Sequence, residues 1–283
     1  MMTRSECIKY VEDHMEIRYA TDNPVYKAGK TIKPIGCVNH SIGVAQPSVE
    51  VIFKGMNKPD VNWGVNALLG DFHLGEGKIL ITLKDYTLPG GCGKGSKGSW
   101  NNCKVQWEVC EPAGHTYKGG TMIGYDVEKN QAYFDRMWKM LVAWNVYMID
   151  KYGYLVSGIS DHAEAHKAGY GSNHSDMGQW LPKHGKSMDA LREEVQAILN
   201  NKEDDKMSYE EFVKYMNTYR DTLKDSEASE YSEEARKWAV ETGIVKGSGV
   251  DENGNPNYMW KDFPTREQLV VILHRFAKSI GKA

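Results

Sequence analysis

The segment 131–149 constrains the fold most, because it carries an apolar stripe at helical spacing. Phe134, Met137, Leu141, Trp144 and Met148 recur at steps of three and four, which places them on one face of a helix. Such a stripe needs an apolar surface to cover it, so we assign it to core packing. Short strand-like runs precede it at 35–42, 64–70, 79–83 and 104–110. Helices are predicted at 4–14, at 47–57 opening on Pro47, and at 187–199 behind Ser187 as N-cap. Helix alternating with strand over the first 200 residues predicts an α/β domain. Between the last two strands, 89–102 (PGGCGKGSKGSWNN) holds five glycines and reads as a loop, with no strand-to-helix phosphate motif.

After Asn200 the charged stretch NKEDDK reads as a solvated connector. It divides the chain into a domain at 1–200 and a small helical module at 207–283. In the module, Ser208 and Glu211 make a capping box for a helix at 208–223, and a second helix at 233–242 stops at Gly243. Thr265 and Gln268 cap a last helix bearing Leu269, Ile272, Leu273 and Phe276. The stretch DENGNP lacks the spacing and terminal Glu of a calcium loop.

Bulk properties exclude some functions. A net charge of -3 gives no basic field for nucleic acid or an anionic membrane. There is no apolar run of membrane-spanning length, so no membrane insertion is expected. The opening MMTRSECIKYVEDHM lacks the apolar core of a secretory signal. Five cysteines without a CxxC pair argue against a disulfide framework or a cysteine zinc knuckle, and for synthesis in a reducing cytoplasm. The 16 Tyr and 8 Trp serve a core first, although flat aromatic faces also bind sugars.

Chemistry-bearing residues cluster in DHAEAHKAGYGSNHSD, where His162, His166 and His174 stand among Asp161, Glu164 and Asp176. Imidazoles beside carboxylates suit a zinc site, but HAEAH is not HExxH, and solvated loop histidines explain the spacing as well. His40 ends a predicted strand, a position at the edge of a sheet where open α/β folds commonly place ligands. In KVQWEVC, alternation puts Val105, Trp107 and Val109 on one face and Gln106, Glu108 and Cys110 on the other. A mid-strand carboxylate there belongs either to a solvated face or to a site that needs a general base.

Taken together, VNHSIG (38–43), WGVNALLGD (63–71), TLP (87–89), GSWNNCKVQWEVCEP (98–112) and ISDHAEAHKAGYGSNHSDMGQWLPKHGKSMDALREEV (159–195) resemble the type 2 N-acetylmuramoyl-L-alanine amidases. That family is related to peptidoglycan-recognition proteins and many phage endolysins. The resemblance spans residues 1–200 and implies a central mixed β-sheet flanked by helices. It implies zinc (Zn2+) held by His40, His162 and Asp176, with His174 or His166 as the alternative third ligand. Glu108 matches the acidic residue that handles the water, and His174 stands where a cationic or polar group stabilises the oxyanion. Asn66 departs from the family, which often has His there. The implied substrate is bacterial peptidoglycan, cut between N-acetylmuramic acid and L-alanine.

Residues 230–283 resemble one S-layer-homology motif, carried by EEARKWAVETGIVKG (233–247) and the TRE segment at 265–267. This implies binding to a secondary cell-wall polymer, with Arg266 and Trp260 as candidate contacts and Tyr258 beside them. A catalytic domain followed by a wall-binding module, without a signal peptide, predicts a phage or prophage endolysin. It would be made in the host cytoplasm and act at the wall after release. The alternatives are a non-catalytic peptidoglycan-binding protein and a bacterial autolysin of the same chemistry. The oligomeric state is left open.

Overall fold

A computed structural model describes residues 2–201, 209–221, 228–247, 249–250 and 254–282 of the 283. The chain divides into two compact units, Met1–Asp204 and Asp205–Ala283. The first is a mixed α/β unit with seven described helices: α1 (Arg4–His14), α2 (Pro24–Ala28), α3 (Val49–Met56), α4 (Val127–Tyr152), α5 (His162–Ala168), α6 (Met177–Trp180) and α7 (Met188–Leu199). Its strands are β1 (Met15–Ile17), β2 (Cys37–Ser41), β3 (Ala67–Gly70), β4 (Lys78–Ile81), β5 (Val105–Val109), β6 (Thr116–Lys118), β7 (Thr121–Ile123) and β8 (Ile159–Asp161). Six of them form one sheet in the order β1-β4-β3-β5-β2-β8, and β6 and β7 form a separate hairpin. Only the β3–β4 pair of the large sheet is antiparallel.

Helix α4 runs for 26 residues, opened by the Asp126 side chain accepting from Lys129 N and closed by Gly153 in the left-handed region. Its predicted stripe is buried and packs with α1 and α7 on one face of the sheet. Trp107 of β5 meets Trp144 of α4 edge to face at 5.7 Å, and both rings are fully buried. Asn39 pairs polar atoms inside this layer: its Oδ1 accepts from Trp107 Nε1 at 2.8 Å and from Asn145 Nδ2 at 3.1 Å, whereas Trp144 Nε1 is buried without a partner. The opposite face is covered by α3, whose Val49, Phe53 and Met56 pack on Leu68, Leu80 and Cys110. The sheet is therefore a middle layer, flanked by helices on both faces.

Element boundaries shift in places from the sequence expectation. Helix α3 starts at Val49 with Ser48 as N-cap, so Pro47 precedes the helix instead of opening it. The strands contract to 37–41, 67–70, 78–81 and 105–109, while α4 outgrows its stripe at both ends. Strand β1, helix α2 and the β6–β7 hairpin were not foreseen; β1 has three residues, too few to show a period. All five cysteines are free thiols.

The second unit holds α8 (Tyr209–Asp221), α9 (Glu233–Glu241) and α10 (Arg266–Ser279). The expected Thr265–Gln268 capping box is formed at the start of α10. Ser208, and with it the expected capping box to Glu211, lies outside the described residues, as do residues 202–206 of the connector and 251–253 of DENGNP. Among the described residues of this unit, Ile244 is the single buried apolar side chain. No described helix of the chain is long and apolar enough to cross a membrane.

Candidate metal centre

Strand register assembles the site. In the parallel β2–β5 pair His40 stands opposite Glu108, and in the parallel β2–β8 pair Asn39 stands opposite Asp161, one residue before His162. Neighbours in register point to the same face, so His40 and Glu108 leave the carboxyl ends of adjacent strands together. Carboxyl ends of parallel strands are where open α/β sheets place ligands. His162 opens α5 and is fixed by a capping box in which Asp161 accepts from Glu164 N and Glu164 from Asp161 N. Arg192 of α7 braces that turn through Glu164 (2.9 Å) and the Ile159 carbonyl (2.9 Å).

Asp176 arrives from the loop after α5 and closes the group. Its Oδ2 lies 2.8 Å from His40 Nδ1 and 3.0 Å from His162 Nδ1, and the two Nδ1 atoms are 3.1 Å apart. Asp176 is the N-cap residue of α6, yet its carboxylate makes no cap bond and is turned to the histidines. Its backbone sits at φ 37°, a region costly for a residue with a Cβ and found where function over-determines the chain. Two imidazole nitrogens and a carboxylate oxygen are donors that zinc accepts. A tetrahedral face around zinc has edges of about 3.3 Å, close to the spacing found here.

The electrostatics suit ligands. Burial holds the His40 imidazole below its usual 6.5, with Asp176 opposing, so the neutral, coordinating form is favoured. Burial pushes the Asp176 carboxyl up, but hydrogen bonds from His162 and His40 outweigh it and leave it well below 3.8. Glu108 differs. It is half-buried as a residue, but its Oε2 is enclosed and has no hydrogen-bond partner. Burial, then Asp176 and Glu111, push its carboxyl well above the usual 4.5. Glu111 is wholly buried and fully engaged, accepting from Tyr117 Oη (2.9 Å), His115 Nε2 (2.8 Å) and Gly43 N (3.2 Å).

The other histidines of the cluster point elsewhere. His174 is exposed, with its ring 4.7 Å from that of His162 and its Nδ1 3.0 Å from Ser172 Oγ. His166 is exposed and directs Nδ1 to the Gly171 carbonyl at 3.4 Å. Gln106 and Ser172, which sequence reasoning did not single out, touch the far nitrogens of His40 (3.3 Å) and His162 (3.1 Å). Gln106 had a visible signal, since alternation had already put it on the face of Glu108. Asn66 faces away from the three, spanning the Thr87 carbonyl and Gln106 N.

In the second unit, Trp260 stacks on Tyr258 at 5.3 Å, and both line a groove of about 370 Å³ with Arg236 and Lys237. A cavity of about 360 Å³ opens nearby among Lys246, Tyr258, Asp262, Phe263 and Arg275. Arg266 is exposed on the first turn of α10 and lines neither of these two.

No protein-family model matches the chain, and no curated protein matches it. Solved structures do. The hydrolase AmiA of Staphylococcus aureus, in complex with its ligand, is similar at 18% identity and a TM-score of 0.47, over 65% of this chain and 82% of that one. The catalytic domain of PlyG is similar at 12% identity and a TM-score of 0.46, over 65% and 93%. The N-acetylmuramoyl-L-alanine amidase LysC from Clostridium intestinale URNW is similar at 12% identity and a TM-score of 0.34, over 66% and 97%.

Proposed function

We propose that this chain is a zinc-dependent N-acetylmuramoyl-L-alanine amidase acting on bacterial peptidoglycan, with the layout of an endolysin. The observation that carries this reading is the convergence of His40 Nδ1, His162 Nδ1 and Asp176 Oδ2 within 3.1 Å of one another, beside Glu108 on the adjacent strand. The sequence resemblance over residues 1–200 names the same four residues. Zinc held by the three would polarise the scissile carbonyl and acidify a water toward about pH 7.

Glu108 takes the proton of the attacking water and returns it to the departing L-alanine nitrogen. Its enclosed, unpartnered Oε2 is a suitable place to hold that proton in transit. His174, exposed with its ring 4.7 Å from that of His162, donates to the oxygen that gains charge in this reading. The products are a free stem-peptide amine and a lactyl carboxylate on the glycan. The second unit, through its likeness to an S-layer-homology motif, retains the enzyme on a secondary cell-wall polymer, with Trp260 and Arg266 as contacts.

Digestion of purified walls tests the activity. New free amino groups without new reducing ends are expected. New reducing ends would mean a glycosidase, and neither product would mean a non-catalytic binder. His162→Ala is expected to lose bound zinc, and metal retained at wild-type stoichiometry would overturn the ligand assignment.

A further inference from the structure

A cation held by His40 Nδ1, His162 Nδ1 and Asp176 Oδ2 needs a bare Nδ1 on each ring, and therefore the ring proton on Nε2. What holds it there can be traced atom by atom. The Cys92 N–H donates to Asn101 Oδ1 at 2.9 Å, so that oxygen accepts, and Gln106 Nε2 donates to it at 2.8 Å. The Gln106 amide is thereby oriented with Oε1 toward His40 Nε2, 3.3 Å away, where an oxygen without protons accepts only an N–H. On the other side, Ser172 N–H donates to the Cys92 carbonyl at 3.0 Å, and Ser172 Oγ has that carbonyl (3.4 Å) and His174 Nδ1 (3.0 Å) to take its one proton. Its lone pairs are left for His162 Nε2 at 3.1 Å. Both chains end on the same residue, one on its N–H and one on its carbonyl.

The neighbours of Cys92 explain part of the glycine content of this loop. A Cβ on Gly91 would stand 2.7 Å from Gln106 Oε1, and one on Gly93 would stand 2.6 Å from Ser172 Oγ. Any side chain at either position would displace an acceptor. Gly93 also takes φ +67°, a conformation glycine adopts without penalty.

We infer that Gln106 and Ser172 are positioning residues that fix His40 and His162 as Nε2–H tautomers, and that the Gly91-Cys92-Gly93 segment holds both in place. This rests on the metal reading above, because without a cation the Asp176 carboxylate accepts a proton from Nδ1 of either ring. Partners of this kind set both the orientation and the basicity of ligating imidazoles.

The test is a long-range proton–nitrogen NMR correlation on the zinc-loaded, full-length chain, beside a chelator competition for the metal. Nε2–H signatures are expected for His40 and His162. Gln106→Leu should speed solvent exchange of the His40 Nε2–H alone, and Ser172→Ala that of His162 alone. Each should weaken zinc binding about 10- to 100-fold in a chelator competition. Gln106→Glu keeps an acceptor for His40 but sets an oxygen against Asn101 Oδ1, so partial recovery of both readouts is expected. Gly93→Ala should behave like Ser172→Ala; were it not to fold, the Gln106 pair still decides. Nε2–H signals and zinc affinity within about two-fold of wild type in Gln106→Leu would overturn the inference. No zinc uptake by the wild-type chain would sink the metal reading and the inference with it, whereas zinc uptake with the Nε2–H signals unmoved in the variants would sink the inference alone.

Discussion

His184 is a histidine used for packing, apart from the proposed metal ligands. It stacks on Phe134 at 3.9 Å, sets Nε2 against Tyr125 Oη (2.8 Å) and directs Nδ1 to Gln131 Oε1 (3.0 Å). Burial lowers its pKa from 6.5, with Asp135 opposing. The unfolded chain therefore binds this proton at a higher pH than the folded one, and stability contributed by the neutral ring is lost as pH falls below about 6.5. Urea denaturation as a function of pH should show a shallower acid-side loss in His184→Gln than in the wild type. Sequence could not separate this histidine from the ligands by residue type. The histidine-rich loop was visible from residue types alone, but choosing His162 and Asp176 within it and adding His40 from far upstream needed the family resemblance. Gln106 and Ser172 stayed unread, because a partner of a ligand leaves no spacing in the chain.

Helix α5 is short, seven residues, and its first residue is His162, so its N-terminal cap also aims a proposed ligand. Asp161→Ala removes the acceptor for Glu164 N and is expected to cost about 1 kcal/mol of stability in chemical denaturation. The same substitution should loosen zinc retention, measured by the chelator concentration that strips half the metal. At this scale the sequence was legible where period or caps were strong, as in α1, α4, α7 and α10. It was less legible where tertiary pairing decided the element. The β6–β7 hairpin turns at Gly119 and Gly120, a two-glycine signal passed over because each strand is only three residues long. The glycine-rich loop was recognisable as a loop, but the reason for its glycines lies in side chains from β5 and from the segment after α5.

At the scale of the molecule, the α/β class followed from alternating elements, while sheet order did not. The order β1-β4-β3-β5-β2-β8 interleaves strands distant in sequence, and local patterns carry no record of that. That order has a kinetic consequence. His40 is 122 residues from His162 and 136 from Asp176, and they meet only after β8 has docked on β2. Such non-local pairing forms slowly, and a site built from it arises late, after the folding barrier has been passed. A metal that binds there cannot template the chain as it does in a zinc finger; it can only retard escape from the finished state. In stopped-flow experiments, zinc should leave the refolding rate within about two-fold of the metal-free value and slow unfolding by a larger factor. Faster refolding with zinc would instead place the three ligands together in the transition state.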